Sequence, residues 1–326
     1  MPKRYLFFIS QNYSYPVLRP LEKVIKKRGD RVKWFMYGAE VQSYRPDAVF
    51  VPGNVVPSFF SGLKVQVFHG LPSTKVKKNG QIYHYIVREM FDLYCTQGKD
   101  STKKFQALAQ KYASFLVKET GWSKLDPLFP LEHRQNKETK SIFFASTFSP
   151  RFSKAEVLYP FILEMIQKYN YHWYITLHPK MDSKIVALYK AIEGKNVKFV
   201  ESIEVIEYFK KSDIMLCDTS SIIYEFSTQN KPVITFQTEK EEALFINVKE
   251  LERLEEILIK TLEEENIKDK NNHLKDFHPY IDGKSSERVL DTVESLLSHP
   301  NLSLKKKPIN LVRNFKLRKA LNYWKF

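Results

Sequence analysis

The chain has 326 residues, 43% hydrophobic and 27% charged, with 52 Lys and Arg against 37 Asp and Glu for a net charge of +15. That length suits two domains, and that balance excludes disorder over most of the chain. No run of about 18 uncharged apolar residues occurs, which argues against a membrane-spanning helix, and the positive excess favours an anionic partner: nucleic acid, a phosphorylated small molecule or an anionic membrane surface.

The opening MPKRYLFFIS has basic residues before a short apolar run but no small-residue cleavage site, so it is expected to be a first β-strand and not a signal peptide. Similar apolar, β-branched or aromatic runs follow at 31–38, 47–53, 64–70 and 92–98, and again at 141–147, 172–179, 197–202, 213–218 and 232–237. Near-continuous apolar runs suit strands buried on both faces. Helical stretches are expected at 101–117, 154–169, 183–193 and 249–265. Strand and helix in alternation predict a parallel sheet with covering helices. The pattern runs twice, separated by the polar LEHRQNKETK at 131–140. The expected fold class is α/β, with two doubly wound Rossmann-like domains facing a cleft. The expected division is 1–130, 131–300 and a basic tail at 301–326. The two cysteines, Cys95 and Cys217, lie inside apolar runs and are expected to be small buried hydrophobes, consistent with a cytoplasmic location.

In doubly wound sheets, ligands bind outside the carboxyl ends of the strands. Here those ends hold hydroxyls, amides and two histidines: Ser10-Gln11, Gly53-Asn54, His69-Gly70, Thr96-Gln97-Gly98, Ser146-Thr147, His178-Pro179 and Asp218-Thr219-Ser220-Ser221. The last group precedes a helical stretch, where its hydroxyls serve either as a helix cap or as part of an anion site. Glu225, one turn on, either reaches a ligand hydroxyl or is solvated. His178 either holds a phosphate or is a core-edge histidine. His69, before the turn-permitting Gly70, suits general-base work, with a structural role as the alternative. Lys75, Lys77 and Lys78 form a solvated loop or guide a polyanion. The remaining histidines are scattered without metal-ligand spacing, and no HExxH, GxSxG, GxGxxG or GxxxxGK[ST] occurs. No metal or cofactor is therefore expected.

The tail 301–326 carries eight Lys or Arg, no acid, and Phe315, Tyr323, Trp324 and Phe326. As a helix it shows no clean apolar stripe, so either an interfacial membrane contact or a basic extension packed on the neighbouring domain fits. No helix-turn-helix, RRM or zinc-finger signature occurs, and nucleic acid is not the expected partner.

In this order, VFHGLPSTKVKKNG (67–80), TGWSKLDPLF (120–129), ITLHPK (175–180), SDIMLCDTSSIIYEFSTQNKPVITF (212–236) and YIDGKSSERVLD (280–291) resemble the CDP-glycerol glycerophosphotransferase family, which includes teichoic-acid primases and polymerases. Phe68, Trp122, Thr219 and Glu225 stand where that family has Trp, Pro, Tyr and Asp. The resemblance implies a GT-B-like fold. It implies His69 as the acceptor-activating base, with Gly70 and Lys75 on the acceptor side. It implies His178, Ser220 and Ser221 on the donor diphosphate, and Asp218, Thr219, Glu225, Thr147, Asp282, Ser285 and Arg288 completing the donor site. It further implies transfer of a polyol phosphate from a CDP-activated donor to a hydroxyl of a cell-surface glycan or lipid-linked acceptor, with the protein cytoplasmic or peripheral on the inner face of the plasma membrane. The alternatives are a nucleotide-sugar glycosyltransferase of the same fold in capsule or lipopolysaccharide synthesis, a related sugar-nucleotide epimerase, and a basic scaffold protein without turnover.

Overall fold

A computed structural model describes residues 1–38, 40–70, 82–131, 139–239, 244–264, 276, 278–299 and 304–324, with Tyr83 described by its backbone. The lysines expected at 75, 77 and 78 lie outside the described residues. The chain forms two compact units: Met1–Phe129 with Lys275–Phe326, and Pro130–Leu274.

Unit 1 begins with β1 (Arg4–Phe8), α1 (Ser14–Lys27), β2 (Arg31–Phe35), α2 (Glu40–Tyr44), β3 (Ala48–Val51), β4 (Leu63–Val67), β5 (Leu93–Thr96), α3 (Lys99–Tyr112) and β6 (Leu116–Glu119). Its six strands are all parallel, in the order β2-β1-β3-β4-β5-β6. Alternate residues of β1 enter two separate cores. Tyr5 and Phe7 join the core that holds Val17, Leu18 and Leu21 of α1, while Leu6 and Phe8 join the core that holds Phe105 of α3. Both faces of the strand are thus covered, as its unbroken apolar sequence requires. Each large side chain so buried contributes about 1.5–3 kcal/mol.

Unit 2 contains β7 (Ser141–Ser146), α4 (Ala155–Lys168), β8 (His172–Leu177), α5 (Ser183–Ala191), β9 (Val197–Phe199), α6 (Val205–Lys211), β10 (Ile214–Cys217), α7 (Ile222–Ser227), β11 (Val233–Phe236), β12 (Ile246–Val248) and α8 (Leu254–Glu263). Its six parallel strands run β12-β11-β10-β7-β8-β9. The chain starts in the middle of this sheet, builds outward through β9, then crosses back past β7 to β10, which makes a topological switch point between β7 and β10. One face buries Ile142, Phe144, Trp173, Ile175 and Leu216 against α4, α5 and α8. On the other face Phe209 packs edge-on against Phe143 and Phe226. Cys95 and Cys217 are both buried and free, as expected.

The ten apolar runs all form strands, but two further strands stand where none was expected. Ala113 takes a left-handed conformation (φ +55) that ends α3 at Tyr112, so the helix expected to reach residue 117 gives way to edge strand β6. The three residues of β12 are the edge of the other sheet.

The second expected boundary, near residue 300, also needs correction. After unit 2 the chain returns to unit 1 as α9 (Ser285–Ser298) and α10 (Leu311–Ala320). The reason is packing: Val289, Leu290 and Val293 of α9 lie in the same core as Tyr5, Phe7 and Ile25. Arg28 donates to Asp291 at 2.7 Å and to Glu294 at 3.1 Å. The α9 N-terminus is held by Asp126, whose two carboxylate oxygens accept the backbone N–H groups of Ser285 (2.9 Å) and Ser286 (2.7 Å). Gly121 makes this approach possible: it sits at φ +85, and a Cβ there would lie 2.5 Å from Ser285 Oγ. Burial pushes the Asp126 carboxyl up, and the hydrogen bonds from Ser286 and Ser285 pull it back only in part.

Asp126→Ala leaves two buried N–H donors unpartnered at a helix start and is expected to cost about 2–4 kcal/mol. Urea denaturation of the purified variant measures it. A loss below about 0.5 kcal/mol, the size of an ordinary surface change, would show that this cap does not hold α9 in place.

Candidate active site

The two histidines singled out by the sequence lie at the carboxyl ends of parallel strands, one in each unit. In unit 1 the order β2-β1-β3 places a switch point between β1 and β3. His69 follows β4, and its Nδ1 lies 2.8 Å from the carbonyl oxygen of Pro52, at the end of β3. A carbonyl only accepts, so Nδ1 carries the proton and Nε2 of the neutral ring is the basic nitrogen. The ring also lies 4.6 Å from Tyr13, which follows β1. The turns around it are tied by amides: Gln66 Nε2 donates to Gly53 O and Gln97 Nε2 donates to Gly70 O, each at 2.9 Å. The Trp122 indole N–H donates to Phe68 O at 2.7 Å, so the aromatic that replaces the expected proline is a buried structural tie. His69 is exposed.

In unit 2, His178 follows β8. Its backbone N–H donates to Ser146 O at 3.1 Å across to β7. Its Nδ1 accepts the backbone N–H of Lys180 at 3.1 Å. The neutral ring therefore carries its proton on Nε2, the reverse of His69. Phe148 lies 4.3 Å from the ring, and Lys180 Nζ is 5.8 Å from the centre of Phe148.

Asp218 ends β10 and is fully buried. Its carboxylate accepts the Ser146 hydroxyl, the Thr147 N–H at 2.9 Å and the Lys154 N–H at 3.0 Å. It thereby closes the switch point, joining the ends of β7 and β10 to the start of α4. Burial pushes the carboxyl up, and these three donors lower it again only in part. Asp218 was expected to contact the donor, and its oxygens are instead committed to the protein. Thr147 takes part through its backbone. Thr219 and Ser221 are exposed and Ser220 is half-buried. Ser221 is the N-cap of α7 yet makes no side-chain cap hydrogen bond, and α7 is only six residues long. The Ser221 hydroxyl is thus not absorbed in capping. Glu225 is buried, not solvated, at 6% exposure.

Asp282, Ser285 and Arg288, expected on the donor domain, belong to unit 1. Arg288 pairs with Asp282 and lies 4.0 Å over the Tyr280 ring. Partial burial raises the Asp282 carboxyl, but Arg288 and the Lys284 N–H outweigh it and hold the group below its ordinary value. Tyr280 OH donates to Glu119 at 3.2 Å. Ser285 is buried against Gly121.

Two histidines without a role from the sequence lie in unit 1. His84 stacks on Phe68 at 4.8 Å, and burial, with smaller effects from His69 and Lys104, pushes it down to about 4. His278 is 4% exposed and lies 5.8 Å from Phe129. Burial, then the Arg288 charge, pushes it down to about 4, although the backbone of Gln97 and Tyr280 favours its charged form. No spacing marks either residue, because their surroundings come from distant segments. Among the described residues, no group of three or more His, Cys, Asp or Glu is placed to hold a metal ion. No helix of the described residues is long and apolar enough to cross a membrane.

Two parallel-sheet α/β units of six strands each define a GT-B-like fold. The sequence pattern described as UDP-N-acetylglucosamine 2-epimerase matches residues 119–294, more than half of the chain, and the chain belongs to that family. It is also 24% identical over 201 residues to the teichoic acid glycerol-phosphate primase of Bacillus subtilis (strain 168), a match covering 53% of this chain and 49% of that protein. The chain thus spans about half the length of the curated relative it matches. Among solved structures, a putative UDP-N-acetylglucosamine 2-epimerase from Listeria monocytogenes aligns at TM-score 0.61 and 12% identity, over 94% of this chain and all of that one, with the full 100% covered. A single-residue variant of the wall teichoic acid polymerase TagF, in a crystal soaked with CDPG, aligns at TM-score 0.65 and 14% identity, over 92% of this chain and 90% of that chain. The resemblance to the glycerophosphotransferases is therefore to a related family, and the family of the chain itself is that of the epimerases.

Both buried histidines make stability fall with acid. The unfolded chain takes up these protons near pH ~6.5, whereas the folded protein does so only near 4. Their contribution is complete above about pH 6.5 and is lost between there and about 4, by about 3 kcal/mol per histidine. Melting of the wild type, His84→Phe and His278→Gln at pH 7 and pH 5 measures this. Each variant is expected to lose less stability than the wild type on acidification. An unchanged pH dependence in both would assign the acid sensitivity to other groups.

Proposed function

We propose that the chain is a transferase that moves a polyol phosphate, glycerol phosphate or ribitol phosphate, from a CDP-activated donor to a hydroxyl of a cell-surface glycan or lipid-linked acceptor. The observation that carries this is the opposite proton placement on His69 and His178. Nε2 of His69 is an acceptor, as a general base requires. Nε2 of His178 is a donor, as a ligand of a phosphate oxygen requires. The likeness to a glycerol-phosphate primase and to a polymerase structure soaked with CDPG supports the same assignment.

In this reading the acceptor hydroxyl gives its proton to His69 Nε2 as its oxygen attacks the β-phosphorus of the donor. A new P–O bond forms, the bond to CMP breaks, and the leaving phosphate is met by the His178 N–H and by the hydroxyls of Ser220 and Ser221. Such transfer depends on positioning and charge stabilisation more than on covalent intermediates. Asp218 and Thr147 hold the turn, while Thr219 and Glu225 stand beside the proposed donor. Lys75 and Gly70 are assigned to the acceptor side, with Asp282, Ser285 and Arg288 supporting unit 1.

A second reading is favoured by the family match over residues 119–294: an enzyme acting on a UDP-sugar, as epimerase or as glycosyltransferase. The two differ in the nucleotide base and in whether an acceptor is consumed; an epimerase needs none.

A thermal-shift panel of CDP-glycerol, CDP-ribitol, CDP, CMP, UDP and UDP-sugars separates them, because a ligand raises the melting point according to its concentration over its dissociation constant. Selective stabilisation by the cytidine compounds is expected. Preference for the uridine compounds would move the chain to the second reading. With the stabilising donor and a matching acceptor, His69→Ala is expected to lose about 10²–10⁴-fold in turnover with unchanged melting. Near wild-type turnover would remove His69 as base. Ser221→Ala is expected to weaken donor binding about tenfold.

A further inference from the structure

Among the described residues, α10 and the turn that follows it meet the fold along one side. Leu321 and Tyr323 are buried with Phe60 and Val56, and Leu317 packs against the same core. Tyr323 lies 4.9 Å from Phe59, over which the Arg318 guanidinium stacks at 4.2 Å. The segment is further fixed by hydrogen bonds: Lys305 N–H donates to Ala113 O at 2.7 Å, Gly38 N–H to Leu321 O at 2.7 Å, and Ser58 OH to Asn314 Oδ1 at 2.9 Å. Lys307 pairs with Asp92.

The side chains turned away from this contact are apolar too. Leu311 is 74% exposed, Val312 71% and Phe315 59%. The spacing i, i+1, i+4 places them on one side of the helix. Ile309, 73% exposed, precedes them, and Trp324, 45% exposed, follows, with its ring 5.8 Å from Phe315. Lys316 and Lys319 are exposed on the same helix, Lys305 and Lys306 are exposed just before it, and the segment 301–326 contains no acid. Isolated exposed apolar residues are ordinary, but five in sixteen positions, clustered and ringed by cations, mark a contact surface.

From this combination we propose that the outward face of α10 docks unit 1 onto an anionic lipid surface. Aliphatic and aromatic side chains enter the headgroup boundary, while the lysines remain at the level of the lipid phosphates. A protein partner would require charge complementarity from an acidic surface together with an apolar socket. The bilayer supplies both at once, which is why the charge pattern favours it. The docking is independent of the donor chemistry proposed above, and its test uses no substrate.

Flotation of the full chain with equimolar phosphatidylglycerol/phosphatidylcholine vesicles, and with pure phosphatidylcholine vesicles, reads the docking directly. Strong partition onto the anionic vesicles, weakened by salt, and little onto the neutral ones is expected. Lys316→Ala with Lys319→Ala is expected to weaken partition about fivefold per cation removed. Val312→Ser with Phe315→Ser is expected to weaken it about tenfold or more, with unchanged melting because both side chains face solvent. If that pair melts differently, Leu311→Ser on the same face carries the test. Equal partition onto both vesicle types, no partition, or wild-type partition by the substituted proteins would each overturn the proposal. So would tight binding of a labelled oligonucleotide without vesicle binding, or a dimer in solution that Phe315→Ser dissolves while vesicles are ignored.

Discussion

A strand buried on both faces leaves its polar chemistry only one place to go, the strand end, and the whole protein is arranged around that constraint. In unit 2 the constraint is resolved by one buried carboxylate. Asp218 stands where the chain reverses its direction of growth across the sheet, and it accepts from Ser146, Thr147 and Lys154. A carboxylate in that position is costly to desolvate, and its pKa is pushed up accordingly. Three donors offset part of that cost. What results is a turn after which Thr219 and Ser221 are exposed, and the Ser221 hydroxyl makes no cap hydrogen bond.

Unit 1 uses the same device for a different end. Asp126 also accepts two backbone N–H groups, but they belong to α9, more than 150 residues later in the chain. The unit is therefore made from both ends of the chain. The requirement propagates to Gly121, whose missing Cβ makes room for Ser285. It also places Asp282, Arg288 and Tyr280 beside Glu119, on the unit that bears His69. A motif that looks terminal in the sequence is thus part of the first domain in space.

Much of this was legible from the order of residues. The ten apolar runs, the break after residue 129 and the polar strand ends all follow from local composition, which periodicity detects. The edge strands β6 and β12 were not legible, because three or four residues are too few to carry a periodic signal. The place of α9 was not legible either: its apolar stripe says that it packs, not on which sheet. At the site, His69, His178 and the hydroxyls were visible as residue types. Their ring neighbours Tyr13 and Phe148 were not, since each is brought in by another strand. The tail left both a packed and a membrane-facing reading open, for a physical reason. Apolar side chains on both sides of one helix, Leu317 inward and Leu311, Val312 and Phe315 outward, cancel in a wheel, so the segment looks unpatterned in sequence.

The proton placement of the two histidines shows how far local covalent structure can decide chemistry. Behind His178 stands Pro179, which has no N–H, so the nearest downstream donor able to reach the imidazole is the N–H of Lys180. An N–H aimed at Nδ1 makes that nitrogen an acceptor and moves the ring proton to Nε2. At His69 the facing group is a carbonyl, that of Pro52, on a turn whose next carbonyl is already held by Gln66. A carbonyl aimed at Nδ1 has the opposite effect and makes Nε2 the base. The same side chain thus becomes a proton donor in one unit and a proton acceptor in the other, through nothing more than which backbone group each strand end turns toward it. The difference between the two rings lies in their surroundings and not in their residue type, which is why it could not be read from the sequence.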